Sequence, residues 1–519
     1  MIWLIIFMKL VSNYLKRGSA MKIEDLMDKE RRAQYRLLVT LYHAKETLRL
    51  KDLMRLSNLS KVTLLKYIDN LNHLCREQGL ACQLLLEKDS LSLKENGQFH
   101  WEDLVALLLK ESVAYQILTY MYCHEHFNIT NLSVELMVSE ATLNRQLAHL
   151  NQLLSEFDLA LSQGRQLGSE LQWRYFYFEL FRHTLTRQGI DALVNQLDAS
   201  HLATLIERLI GQSLSAEALE QLLIWLAISQ ARMSFQKGYN DHFLRDSDFM
   251  TSNIFFKRLE SMLLHYLRRY ALEFDAFEAK SLFVFLHAYT LLPIASMKYS
   301  LGFGGPIADH ISEALWLLKK AHVIIHQTKE EIIYGLGIFF SKAYFFKGAI
   351  LSQPTNSQYL YQLVGEDKRA LLRVIINHLV LQMGQETDFG QQLSDDILAL
   401  LVFSIERHHE PLLVGLALGQ NKVEAAIAEL AIRRHLGHRR DFQLMPYDHQ
   451  KVYDCLITYQ TVYLPRQDLP YYRLKQYSSP YELAALEDFL KSLFQQKNKQ
   501  EEEPLVSPKA KSSFEHNSV

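Results

Sequence analysis

One fourteen-residue pattern occurs twice in this chain, 79 positions apart. Leu59–Asn72 reads LSKVTLLKYIDNLN, and Val138–Asn151 reads VSEATLNRQLAHLN. The copies share Ser60/Ser139, Thr63/Thr142, Leu64/Leu143, Leu71/Leu150 and Asn72/Asn151, and Lys66 matches Arg145 in charge. Leu64, Ile68 and Leu71 recur at helical spacing, as do Leu143, Leu147 and Leu150, so each copy carries one inward face. Ser60 and Ser139 stand where a hydroxyl accepts an orphan amide of the first helical turn. Each copy follows a short helical pattern and a tight polar break. This order predicts a helix-turn-helix, whose second helix lies in the DNA major groove. Two such units in one chain point to a DNA-binding regulator.

Charge supports the first unit more than the second. The chain of 519 residues has a net charge of −2, so it is not basic overall. Arg31 to Lys66, however, holds nine basic residues (31, 32, 36, 45, 49, 51, 55, 61, 66) against Glu46 and Asp52, a balance of +7. Phosphate attraction is expected mainly there. The four cysteines, Cys75, Cys82, Cys123 and Cys455, lack metal-ligand spacing and read as reduced thiols of a cytoplasmic protein. The opening MIWLIIFMKLV is too short to span a bilayer. Residues 1–20 read as an upstream start-site extension before Met21, with a membrane-touching helix as the alternative. No stable membrane insertion is expected.

The periodicities predict a mainly α, multidomain chain. Residues 21–100 form a first winged helix-turn-helix: helix 28–44, helix Leu50–Leu56, the third helix, and a β-hairpin wing turning at Glu87–Ser90. Residues 101–171 repeat the plan, with helices Ser112–His124 and Leu132–Met137, and Gly164 and Gly168 turning a second wing. Residues 172–292 and 293–402 read as two helical bundles. Residues 405–496 alternate strands (Pro411–Gly419, Phe442–Met445, Tyr453–Tyr459) with helices (Lys422–Arg433 and one opening at Ser479-Pro-Tyr-Glu482), which implies a small α/β domain with a parallel sheet. Residues 497–519 read as a disordered tail.

The stretch SEATLNRQLAHLNQLLSEFDLALSQGRQLGSELQWRYFYFELF resembles the Mga/RofA-like family of Gram-positive transcription regulators. EEIIYGLGIFFSKAYFF (330–346) and PLLVGLALGQN (411–421) are similar to later parts of that family. The resemblance implies tandem winged units, two phosphotransferase-system regulatory (PRD) domains and an enzyme IIB-like C-terminal domain. It also implies a homodimer or larger assembly acting on surface, adhesion and virulence genes, with a response to carbohydrate status.

Outward polar residues of the third helices are the candidate DNA contacts: Lys61, Thr63, Lys66 and Asn70 in the first unit, Asn144, Arg145 and His149 in the second. Glu140 counts against phosphate contact by the second. By resemblance, regulatory phosphorylation by the histidine-phosphorylating carrier protein of the sugar phosphotransferase system would fall on His183, His287 or His310, with Asp309 placed to orient the last. An active enzyme IIB needs a cysteine after its first strand; Gly419-Gln420-Asn421 has none, and Cys455 falls in a later strand. No catalytic residue, cofactor or metal is expected: phosphate loop, GxGxxG and HExxH are absent, and His408-His409-Glu410 and His435/His438 lack a third ligand. The reading is therefore a non-enzymatic regulator bound to double-stranded promoter DNA. The alternative is a phosphotransferase-system protein or phosphate acceptor whose helix-turn-helix units are scaffolding.

Overall fold

The structure, a computed structural model, describes residues 21–44, 47–97, 99–195, 199–233, 235, 248–269, 276–294, 297, 305–321, 329–351, 357–364, 366–384, 388–407, 411–419, 421–437, 441–459 and 469–502. The expectations for 1–20, for His408–Glu410 and for His438 lie outside these residues. The chain is mainly helical and divides into two compact units. One is drawn from Met1–Leu318 and Lys329–Val402, the other from Lys319–Thr328 and Phe403–Val519.

The larger unit begins with β1 (Met21–Lys22) and a 3-10 turn (Ile23–Leu26), then α1 (Lys29–Ala44), β2 (Leu48–Arg49), α2 (Leu50–Ser57) and α3 (Lys61–Glu77). β3 (Cys82–Glu87) and β4 (Ser90–Glu95) form the wing, in an antiparallel sheet ordered β2-β4-β3. Leu38, Leu53, Leu64, Leu71 and Leu91 close its core. The second winged unit is built from α4 (Trp101–Leu109), α5 (Val113–Cys123), α6 (Ile129–Glu135), α7 (Glu140–Leu154), β5 (Ala160–Ser162) and β6 (Arg165–Leu167). α6 starts three residues before the expected Leu132, because Asn128 caps it through Thr130 N and Asn131 N. The wing turns through Gln163 and Gly164, both left-handed at φ 51° and 74°, the turn whose twist suits a two-residue hairpin. A Cβ at Gly164 would sit 2.3 Å from the Phe127 carbonyl oxygen, so space as well as φ demands glycine.

α8 (Glu170–Thr184) is buried on every side except at Arg182 and His183, so it runs as a central helix with aromatic residues all around. Around and after it come α9 (Arg187–Asn195), α10 (Ala199–Ile210), α11 (Ala216–Ala231), α12 (Asp248–Ser252), α13 (Ile254–Arg269) and α14 (Ala276–Ala288). Then follow α15 (Pro306–Lys320), α16 (Lys329–Phe345), β7 (Ile350–Leu351), α17 (Ser357–Leu363), α18 (Glu366–Gln382) and α19 (Asp388–Arg407). α16 packs along α14, and Tyr334 donates to the Leu292 carbonyl at 2.8 Å. β1 pairs in parallel with β7, Met21 opposite Ile350.

Four buried charges lock α8 into this body. Arg174, fully buried, reaches Glu278 through two bonds of 2.7 and 3.0 Å and Glu170 through one of 3.1 Å. Arg232 holds Glu170 from the other side at 3.0 and 2.9 Å, and donates to Gln166 on β6 at 2.9 Å. The guanidinium planes lie over Phe277, Tyr177 and Phe235 at 4.9, 5.1 and 4.6 Å. Among the described residues two cations face two anions, and this pairing is what makes charge at this depth tolerable.

The smaller unit holds β8 (Leu412–Ala417), α20 (Lys422–Leu436), β9 (Phe442–Pro446), β10 (Cys455–Tyr459), β11 (Tyr471–Leu474) and α21 (Pro480–Glu502). Its sheet is wholly parallel, ordered β11-β10-β8-β9. Val414, Leu416, Ile457 and Leu474 pack against Ala428, Ile432, Leu486 and Leu490 from the two helices. α21 continues to Glu502, past the expected boundary at 496, so the first residues assigned to a disordered tail are helical. Among the described residues no single helix is long and apolar enough to cross a membrane.

Candidate nucleic-acid interface

The repeated pattern builds the same joint twice. Ser60 Oγ accepts from Thr63 N at 3.1 Å and Ser139 Oγ from Thr142 N at 3.2 Å. The same serines pair with the threonine hydroxyls at 2.8 and 3.0 Å. Before each cap stands a left-handed residue, Asn58 and Met137, both at φ 52°. The amides that follow return to the preceding helix, Leu59 N to Met54 O at 3.3 Å and Val138 N to Ser133 O at 2.9 Å. The equivalence thus extends back through the turn itself.

The shared asparagines fasten each third helix to its wing. Asn72 donates to the Leu84 carbonyl at 2.9 Å and accepts from Leu84 N at 2.8 Å. Asn151 does the same with Leu161 at 2.8 and 2.7 Å. These side chains satisfy strand groups that have no ladder partner there and fix the angle between recognition helix and wing. Replacing either by alanine orphans one donor and one acceptor. Asn72→Ala or Asn151→Ala is expected to cost about 1–3 kcal/mol, read as a shift in urea midpoint. Asn72→Asp, which keeps only the acceptor, should fall between.

The candidate contacts divide in their surroundings. Lys66, Asn144 and Arg145 are exposed. Lys61 is exposed and lies 3.5 Å from Asp89 in the wing turn. Thr63 is half-buried, its hydroxyl paired with Ser60. Asn70 and His149 do not project freely outward as the periodicity implied. Asn70 donates to Glu30 on α1 at 2.8 Å, and His149 Nε2 lies 2.9 Å from the Asp25 carbonyl. Both sit where the third helix packs on an earlier segment. Glu140 accepts from Thr130 at 2.7 Å, which holds that carboxylate at the base of the turn.

The basic segment is thinner in space than in sequence. Arg31 pairs with Glu111 at 3.0 Å, Arg32 with Asp25 at 3.8 Å, Arg36 with Glu24 at 2.9 Å and Arg49 with Asp52 at 2.9 Å. Lys45 lies outside the described residues. Lys51, Arg55 and Lys66 remain exposed and without an ion pair among the described residues. Lys51 and Arg55 were not singled out from sequence; their i, i+4 spacing on α2 was the available signal. With Lys66 they give the first helix-turn-helix an unneutralised cationic pair of helices.

Two helix-turn-helix units, each with its own wing, form the arrangement that suggests a DNA-binding regulator. Residues 97–181 match the family model of the Mga helix-turn-helix domain, a span from just before α4 into α8, consistent with the Mga-like regulator family. No curated protein matches the chain.

The three candidate regulatory histidines occupy different environments. His183 is half-buried, its Nε2 3.7 Å from Glu179. Burial alone would raise the Glu179 carboxyl, but Lys342, His183 and Arg182 outweigh it and hold it well below its ordinary value. His287 is buried at 3% exposure, and its Nδ1–H donates to the Phe283 carbonyl at 2.8 Å. A phosphoryl donor has no approach to it in this conformation. His310 is half-buried near Phe340, and no bond joins it to Asp309 among the described residues. His378, outside the expected set, combines an exposed ring with an orienting carboxylate, Glu313 at 3.2 Å.

Proposed function

We propose that this protein is a sequence-specific, non-enzymatic transcription regulator that grips promoter DNA with two winged helix-turn-helix units. The observation that carries it is the duplicated cap–helix–wing joint, which presents Lys66 and Arg145 at equivalent exposed positions. Lys51, Arg55 and Lys66 supply the phosphate attraction, and Asn144 and Arg145 supply base or backbone contacts from the second unit. The helical body acts as paired PRD-type regulatory domains answering to the phosphotransferase carrier protein. His183 and His310 are the more accessible of the expected acceptors. The parallel α/β unit serves as an enzyme IIB-like module for homodimer formation, and the regulated genes are those of surface, adhesion and virulence proteins. The setting is cytoplasmic.

The rival reading, a phosphotransferase enzyme, needs a reactive cysteine. Cys455 is fully buried, and burial together with Asp454 pushes its thiol up to about 12, so it is a poor nucleophile.

Fluorescence anisotropy on promoter fragments across a salt series tests the main reading. Binding should fall linearly in log–log form with salt. The triple variant Lys51→Ala/Arg55→Ala/Lys66→Ala should flatten that slope by about 2–3, near 0.9 for each phosphate no longer neutralised. Absence of binding to any fragment of a genomic library, or a slope unmoved by the triple variant, rules the assignment out.

A further inference from the structure

We propose that Cys75 and Cys82 are a reversible dithiol–disulfide pair whose oxidation locks the first recognition helix against its own wing and weakens DNA binding. The regulatory half of this inference rests on the DNA-binding reading above; the chemistry does not.

The two sulfurs lie 3.5 Å apart. Cys75 is in the last turn of α3 and Cys82 opens β3, so one thiol belongs to the recognition helix and the other to the wing. The reversal between them is short and fixed. Leu80 N donates to the Cys75 carbonyl at 2.8 Å, and Gly79 takes φ +67° to complete the turn. The pair stands beside the Asn72 clamp, one helical turn beyond Asn72 and two residues before Leu84. Both thiols are secluded, Cys75 at 2% and Cys82 at 8% exposure, so Cys82 is the one nearer to solvent. Cys82, the sulfur nearer to solvent, is thus the attacking one and Cys75 the resolving one.

The oxidant is a low-molecular-weight disulfide. The Cys82 thiolate attacks one sulfur of the reagent, whose S–S bond breaks and releases one thiolate. Cys75 then gives up its proton, and its sulfur attacks Cys82 Sγ. The protein disulfide forms as the second reagent thiolate leaves. Two electrons pass to the reagent, which ends as two thiols. Closing the sulfurs from 3.5 Å to about 2.05 Å draws the helix end toward the strand, away from the angle the Asn72 clamp sets.

The experiment uses the full chain with the exposed Cys123 changed to serine, equilibrated with oxidised glutathione or with dithiothreitol. Arg76 lies between the two cysteines, so trypsin places them on separate peptides. Non-reducing mass spectrometry should find those peptides joined, and dithiothreitol should release them. Promoter affinity of the oxidised protein should fall threefold or more and recover on reduction. Cys75→Ala and Cys82→Ala should be insensitive to the oxidant. Should either variant fail to fold, the oxidised-against-reduced comparison of the parent decides alone. Free thiols or only glutathione adducts at these positions would overturn the chemistry. A joined pair with unchanged or tighter binding would overturn the regulation. Loss of binding already in the reduced protein would instead strike at the DNA-binding assignment.

Discussion

An Arg174→Met protein is expected to lose about 3–5 kcal/mol of stability in its larger unit, the cost of stripping one partner from a buried charge cluster. Arg174 is fully buried and meets Glu278 with both terminal nitrogens at 2.7 and 3.0 Å. Glu278 has 6% of its side chain exposed, so water cannot replace the guanidinium that leaves. Glu170 would keep Arg232 at 2.9 and 3.0 Å, which confines the damage to the Glu278 side. Methionine retains the packing against Phe277, so the loss reads charge and not volume. The double variant Arg174→Met/Glu278→Leu removes both members and should recover most of the deficit, to within about 1–2 kcal/mol of wild type. Chemical denaturation of both variants decides the point: a double variant as unstable as the single one would mean that packing, not the Arg174–Glu278 pair, holds α8 in place. The cluster also ties Gln166 of the second wing to Arg232 at 2.9 Å. Loss of Arg232 should therefore loosen that wing more than loss of Arg174 does.

The residues that reveal the fold and those that obscure it differ in kind. Ser60, Leu64 and Leu71, with Ser139, Leu143 and Leu150, act within one helix, so their spacing is readable along the chain. The parallel sheet was legible for a similar reason: Leu412–Ala417 is a continuous apolar run bounded by turns, as a strand buried on both faces must be. β11 was missed because Tyr471 and Arg473 are exposed, which leaves little apolar signal. The charge count misled in magnitude because its neutralising partners Glu24, Asp25, Asp89 and Glu111 stand outside the counted window. Asn70 and His149 show the same limit. Helical periodicity assigns a direction to a side chain, but whether another segment waits there depends on tertiary packing. Asn72 and Asn151 stood out as repeated residues, yet their part as paired clamps needed the wing to be placed. Of the cluster of Glu170, Arg174, Arg232 and Glu278, only the i, i+4 pair Glu170–Arg174 is readable along the chain; Arg232, just past α11, and Glu278 on α14 are brought in by packing.

A second large effect is expected in acid, where two buried groups oppose each other. Burial pushes the His287 imidazole down to about 4, against 6.5 for a free histidine, although the Phe283 carbonyl acts the other way. The folded state therefore favours the neutral ring. The stability this confers is complete above pH 6.5 and is lost as pH falls from 6.5 toward 4. Asp396 opposes it in nearly the same window. Burial raises its carboxyl from 3.8 to about 6, with Lys342 lowering it and Asp395 raising it further. A carboxyl raised by folding gains stability as pH falls from 6 toward 3.8. Between pH 7 and 4.5 the histidine should lose about 2–3 kcal/mol and the aspartate regain about 2 kcal/mol, so these two contributions nearly cancel. Each single variant breaks the balance in its own direction. His287→Phe keeps a ring against Phe283 and Phe255 and should gain about 2–3 kcal/mol relative to wild type on going from pH 7 to 4.5. Asp396→Asn should lose about 2 kcal/mol relative to wild type over the same interval. Urea midpoints at the two pH values measure both. Parallel pH profiles for the three proteins would show that neither group titrates where its burial places it. Glu179 does not confuse the result. Its carboxyl is held well below its ordinary value, so its contribution is lost only as pH falls below about 4.5, beyond the range compared.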